Sequence, residues 1–134
     1  MTPSRSTPTA TSRVARLIAV VVGAYYVVVG LWAFAAPDNF YSSVAVFAPY
    51  NQHFLHDGGA FQVALGVALI LGAIWVEALF AASLAVLVGS LLHFVAHLED
   101  RALGGRPSDF VVLGLVCVLV GIAAALAPRR VVKA

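Results

Sequence analysis

Four long apolar runs, separated by short polar breaks, set the pattern of this chain. They cover residues 17–36, about 53–74, about 78–98 and 109–126. Each is close to the ~20 residues that a helix needs to cross the hydrocarbon core of a bilayer. The breaks carry helix-stop and helix-start residues. Pro37-Asp38 ends the first run, and Asn51 can cap the second. Glu77 marks a tight turn between the second and third. Glu99-Asp100-Arg101 and Gly104-Gly105-Arg106-Pro107 form a polar loop in which the two glycines read as turn chemistry. Ser108 can cap the fourth run, and Asp109 suits the positive end of its dipole. Pro128-Arg129-Arg130 closes it.

Between the first two runs, Phe40, Tyr41, Val44 and Phe47 recur at near-helical spacing within 38–50. This predicts a short helix lying in the membrane interface, capped by Asp38 and broken by Pro49. Residues 1–12 are mostly Ser, Thr and Pro and predict a disordered tail; 128–134 read as a basic tail. Ala33-Phe34-Ala35 has the form of a signal-cleavage site, but the run before it exceeds the apolar length of a cleavable signal and reads as a span. The predicted fold is an all-α, integral-membrane four-helix bundle over residues 13–127.

Composition agrees. Of 134 residues, 62% are hydrophobic and 10% charged, against about 25% charged in a soluble domain. Such a chain needs lipid around it. A formal net charge of +2 gives no reason to expect a nucleic-acid partner. Arg5, Arg13 and Arg16 precede the first span, and Arg129, Arg130 and Lys133 follow the last. Arg101 and Arg106 stand on the opposite side among Asp38, Asp57, Glu99, Asp100 and Asp109. The positive-inside rule then places both termini in the cytoplasm. Seven Arg to one Lys, with much Ala and Val, fits a bacterial source and the inner membrane. The single cysteine, Cys117, falls mid-span and forms no intrachain disulfide.

Small residues recur one heptad apart in every span: Gly23 and Gly30, then Gly59, Gly66 and Ala73, then Ala82 and Gly89, then Gly114 and Gly121. Such stripes let helix backbones approach closely in lipid. Polar groups also fall inside spans. Gln62 is expected to bond a neighbouring helix. Of Tyr25 and Tyr26, at least one hydroxyl needs an internal partner.

All four histidines lie at one end of the second and third spans. His53 and His97 are each 22 residues from Trp75 at the turn, and His56 and His93 are 19 and 18 away. At about 1.5 Å per residue they share a membrane depth. His56 lies one turn beyond Gly59 and His93 one turn beyond Gly89, which aims both into the bundle. Asp57, four residues after His53, can orient its imidazole or serve as an alternative ligand. The His93-x-x-x-His97 spacing can chelate one ion from a helix face. Three readings stay open: a site for a transition-metal ion or a haem formed by His53, His56, His93 and His97; histidines that only hydrogen-bond water, headgroups or Asp57; and a proton- or quinone-linked polar site.

The Arg-flanked first span ending in Leu31-Trp32-Ala33-Phe34-Ala35-Ala36-Pro37, and the glycine-rich second span with Gly59-Ala60-Phe61-Gln62 and Gly66, resemble the layout of the DoxX-like group of small four-span bacterial membrane proteins. More closely, the stretch Pro49-Tyr50-Asn51-Gln52-His53-Phe54-Leu55-His56-Asp57, with the later His93-to-His97 segment, resembles an uncharacterised family of small four-span actinobacterial membrane proteins. That resemblance brings no activity. The DoxX-like one implies an accessory role in respiratory or redox membrane complexes and leaves the histidines unexplained. No Ser-His-Asp arrangement, Walker loop or dinucleotide fingerprint is present. The expectation is a small membrane accessory or binding protein without catalytic residues, self-associating or held by a membrane-protein partner. Its alternatives are a metal- or quinone-dependent redox enzyme and a purely structural subunit.

Overall fold

The computed structural model describes residues 10–129. Among them the chain forms five helices: α1 (Ala10–Ala35), α2 (Pro37–Ser43), α3 (Gln52–Ile74), α4 (Leu79–Glu99) and α5 (Pro107–Leu126). All but α2 are long and apolar enough to cross a membrane. Their outward faces stay apolar; Val28, Leu92 and Val111 are 64%, 67% and 71% exposed. This is the surface of a multi-pass membrane protein, since water would not tolerate so continuous an apolar patch.

The helix ends follow local chemistry. The Asn51 side chain accepts the Phe54 N–H at 3.1 Å, as its position predicts. α1 ends at Ala35, just ahead of Pro37 as expected, and Pro37 and Pro107 each occupy the first turn of the helix that follows. Proline suits that place because its missing N–H would have no helical partner there. So α2 starts behind Ala36, without a cap from Asp38, and α5 starts behind Arg106 rather than at Ser108. The Asp109 carboxylate reaches back to accept the Arg106 N–H at 2.8 Å. Of the tail expected over 1–12, residues 10–12 are helical, and the rest lies outside the described residues, as does most of the basic tail at 130–134.

α1 packs chiefly on α3, and α4 chiefly on α5. The α1–α3 crossing uses the glycine stripes. A Cβ on Gly30 would stand 2.6 Å from the Gly59 carbonyl oxygen, and one on Gly23 would stand 2.8 Å from that of Gly66. Only glycine lets two backbones come this close. The stripe on α4 and α5 does something else. Around a Cβ at Gly89 nothing lies within 4 Å, and at Gly121 the nearest atom is 3.9 Å away. α3 and α4 meet near their turn, where Gly72 faces Leu79 and Ala82.

The packed core occupies the half of the bundle nearest the chain ends. Ala15, Ala19, Val22, Leu69, Val86 and Val120 are buried there. Arg16 donates from Nε to the Ala73 carbonyl at 2.7 Å, satisfying one of the last backbone acceptors of α3. Arg129 lies 4.8 Å above the Phe80 ring. A second small cluster, Ala33, Phe40 and Leu55, seats α2 under the opposite end. At that end the two loops are laced together. Gly105 donates to the Val46 carbonyl at 2.9 Å, Phe47 bridges Gly104, and Arg106 donates to the Ser42 carbonyl at 2.9 Å. Gly104 and Gly105 both have positive φ, at 156° and 83°, which explains the paired glycines.

Candidate functional site

In the half of the bundle away from the chain ends, the helices part around a cavity of about 300 Å³. Its floor is Tyr26, Leu65 and Val116; its walls include Phe40, Gly58, Gly89 and Leu113. Towards the loops it meets a vestibule of about 490 Å³ under Tyr41, Phe47 and Pro49. His93, Phe54, Leu55 and Ala45 line both, so the two spaces form one crevice. Phe54 and Phe61 line it while being 72% exposed, so it opens along the flank of α3.

Polar groups mark a path along this crevice. At its floor, Tyr26 Oη and Ser90 Oγ are 2.8 Å apart, and Ser90 Oγ donates to the Val86 carbonyl at 2.7 Å. The serine has one proton, spent on Val86, so the Tyr26 phenol is the donor in their shared bond. This supplies the internal partner expected for one of the two tyrosines. Tyr25 and Gln62 also line the cavity. The Gln62 Oε1 atom is buried and has no hydrogen-bond partner among the described residues. The bond to a neighbouring helix expected of Gln62 is therefore not made by this atom.

His93 stands between cavity and vestibule, with the His97 ring 4.8 Å away. His97 is held on three sides. Phe47 meets it edge-on at 5.2 Å, His93 stacks at a tilt, and its Nδ1 lies 3.5 Å from Asp109 Oδ2. Both members of that last pair are largely buried, at 19% and 12% side-chain exposure. The distance is loose for a hydrogen bond and suits an ion pair when the imidazole is protonated.

The other two histidines are elsewhere. His56 stacks on Phe34 of α1, with ring centroids 4.9 Å apart. His53 is 86% exposed and lies 3.5 Å from Asp57. Neither lines the crevice; the side of α3 that does so carries Phe54, Leu55 and Gly58. The expected convergence of four histidines is replaced by two separate pairs. Among the described residues no group of three or more His, Cys, Asp or Glu side chains is placed to hold a metal ion. The reason is rotation. Gly59 faces Gly30 of α1, not α4, so His56 one turn beyond it extends the α1-facing side.

Sequence reasoning missed Asp109 as the partner of His97, and missed the cavity. The first had a signal: His97 and Asp109 each stand six residues from Leu103, the middle of their connecting loop. No family model matches this chain, and no curated protein or solved structure shows significant similarity to it.

Proposed function

We propose that this protein is a membrane-embedded binding protein, and that its crevice receives an elongated, lipid-soluble small molecule through the α3 flank. The observation that carries the reading is the cavity of about 300 Å³, apolar on its walls with a few convergent polar groups, continuous with a vestibule at the His93–His97 end. That is the chemistry of a small-molecule site. A bundle built only for rigidity would fill this space, because empty volume forfeits dispersion contacts. Instead Gly58 and Gly89 leave it clear, with nothing within 4 Å of where their Cβ atoms would stand. The DoxX-like resemblance fits an accessory subunit of the bacterial inner membrane that holds such a molecule for a larger complex. The metal-ion reading lacks a group of three or more ligating side chains among the described residues.

The test is cavity filling. Gly89→Leu starts a side chain where a Cβ meets nothing within 4 Å and extends it into the space that Gly89 lines. Protein purified from native membranes in mild detergent is weighed by native mass spectrometry. Wild type is expected to carry a lipid-soluble molecule that Gly89→Leu has lost while keeping its melting temperature. Equal retention by both, or none on wild type after incubation with total lipid extract, refutes the proposal.

A further inference from the structure

The lining of the inner cavity also restricts the polar end of its ligand, given the binding reading above. No Arg, Lys, Asp or Glu lines it. A phosphate or carboxylate head would find no permanent cation there, only the His93 imidazole at the rim, and an ammonium head would find no carboxylate. Burying an unpaired charge in such surroundings is prohibitive. The polar groups that are present are the Tyr25 and Tyr26 phenols, the Gln62 carboxamide and, at the rim, the His93 imidazole. Gln62 Oε1 is an acceptor without a donor, in a position where an unmet hydrogen bond is costly. Ser83 Oγ is likewise unpartnered among the described residues, but it lines neither space and lies on the packed side. Gln62 lines the cavity while its Oε1 is shielded from it, so a half-turn of the terminal carboxamide brings this unmet acceptor to a cavity ligand. Tyr25 beside the same space can donate to a ligand oxygen or accept from its proton.

We propose that the inner cavity takes a neutral, hydroxyl-bearing lipid whose hydroxyl donates to Gln62 Oε1. Its chain runs past Phe54 and Phe61 towards the flank of α3, where both rings are exposed. The hydroxyl can belong to a glycerolipid or to an isoprenoid alcohol; both present the same donor.

Photolabelling of the full-length protein in nanodiscs tests this. Three probes share one diazirine-bearing alkyl chain and differ in the head: a fatty alcohol, a fatty acid and an alkyl trimethylammonium. The alcohol is expected to label cavity residues well above the two charged probes. Gln62→Leu should lower labelling by the alcohol roughly three- to tenfold, the effect of one lost hydrogen bond, with the charged probes unchanged; a merely structural role for Gln62 would lower all three together. Competition by diacylglycerol assigns the hydroxyl to a glycerolipid, and competition by a polyprenol to an isoprenoid. If charged probes label as well as the alcohol, or Gln62→Leu leaves its preference intact, the neutral-head inference falls while the cavity stands. If Gly89→Leu labels like wild type with every probe, the cavity reading itself falls.

Discussion

Glycine does two opposite things in this bundle, and one substitution made at two positions separates them. At Gly30 a Cβ would stand 2.6 Å from the Gly59 carbonyl oxygen, 2.8 Å from the Val63 nitrogen and 2.9 Å from the Gln62 Cβ. Ordinary contact begins at 3.4 Å, so the shortfall is about 0.8 Å. Two of the three obstacles are backbone, which cannot rotate aside, so Gly30→Ala must push α1 and α3 apart. Overpacking of this kind costs about 1–3 kcal/mol. Against it stands the gain of roughly 0.5–1 kcal/mol from replacing glycine within a helix. Net destabilisation of about 1–2 kcal/mol is expected. At Gly89 the same change meets nothing within 4 Å, so only the helix-propensity gain remains and the variant should match or exceed wild type by up to about 1 kcal/mol. Unfolding in mixed micelles, titrated with a denaturing detergent and followed by circular dichroism, measures both. If Gly30→Ala proves as stable as Gly89→Ala, the close α1–α3 crossing is not real.

The Tyr26–Ser90 bond should respond unequally to its two deletions. Tyr26→Phe leaves Ser90 bonded to Val86 and should cost about 0.5–1.5 kcal/mol, whereas Ser90→Ala strands the buried phenol and should cost about 1–3 kcal/mol in the same unfolding titration; equal losses would contradict the assigned direction of donation. On the orientation that the positive-inside rule predicts, a cysteine at exposed Leu103 should react with an impermeant maleimide added outside intact cells, and protection there until lysis would invert the topology.

The existence, order and type of the spans were legible because lipid demands long apolar helices and little else. The edges were less so, and the misreadings share a cause. Pro37 stops α1 as its position predicts and also opens α2, and Pro107, which reads as part of a loop, opens α5, since a proline stops one helix and suits the first turn of the next equally well. α1 begins at Ala10, ahead of its apolar run at residue 17, so hydropathy marks the span and not the start of the helix. Its first turns run through Thr11, Ser12 and Arg13, where the backbone gains its hydrogen bonds regardless of side-chain polarity; Ser12 is buried, and Arg16 reaches α3 from there.

The candidate site was half legible, and the missing half was an angle. Counting residues from a turn fixes how deep a side chain sits, but not which way its helix is rotated. For the hairpin of α3 and α4, depth alone put four histidines together. The small-residue stripes were meant to supply the rotation, but a glycine marks either a close approach or a void, and the sequence does not say which. Gly59 marks an approach to α1, carrying His56 to Phe34; Gly89 marks a void, leaving His93 on the rim of a cavity. The same count applied to α4 and α5 would have paired His97 with Asp109 correctly, because those helices pack on each other and a short loop leaves them little freedom to turn. Equal depth across a hairpin therefore implies contact where the two helices touch along their length. Where they part around a cavity, as α3 and α4 do away from their turn, it leaves side chains at the same level without bringing them together. That opening, with His93 on its rim, is what the sequence has built at the level of the histidines.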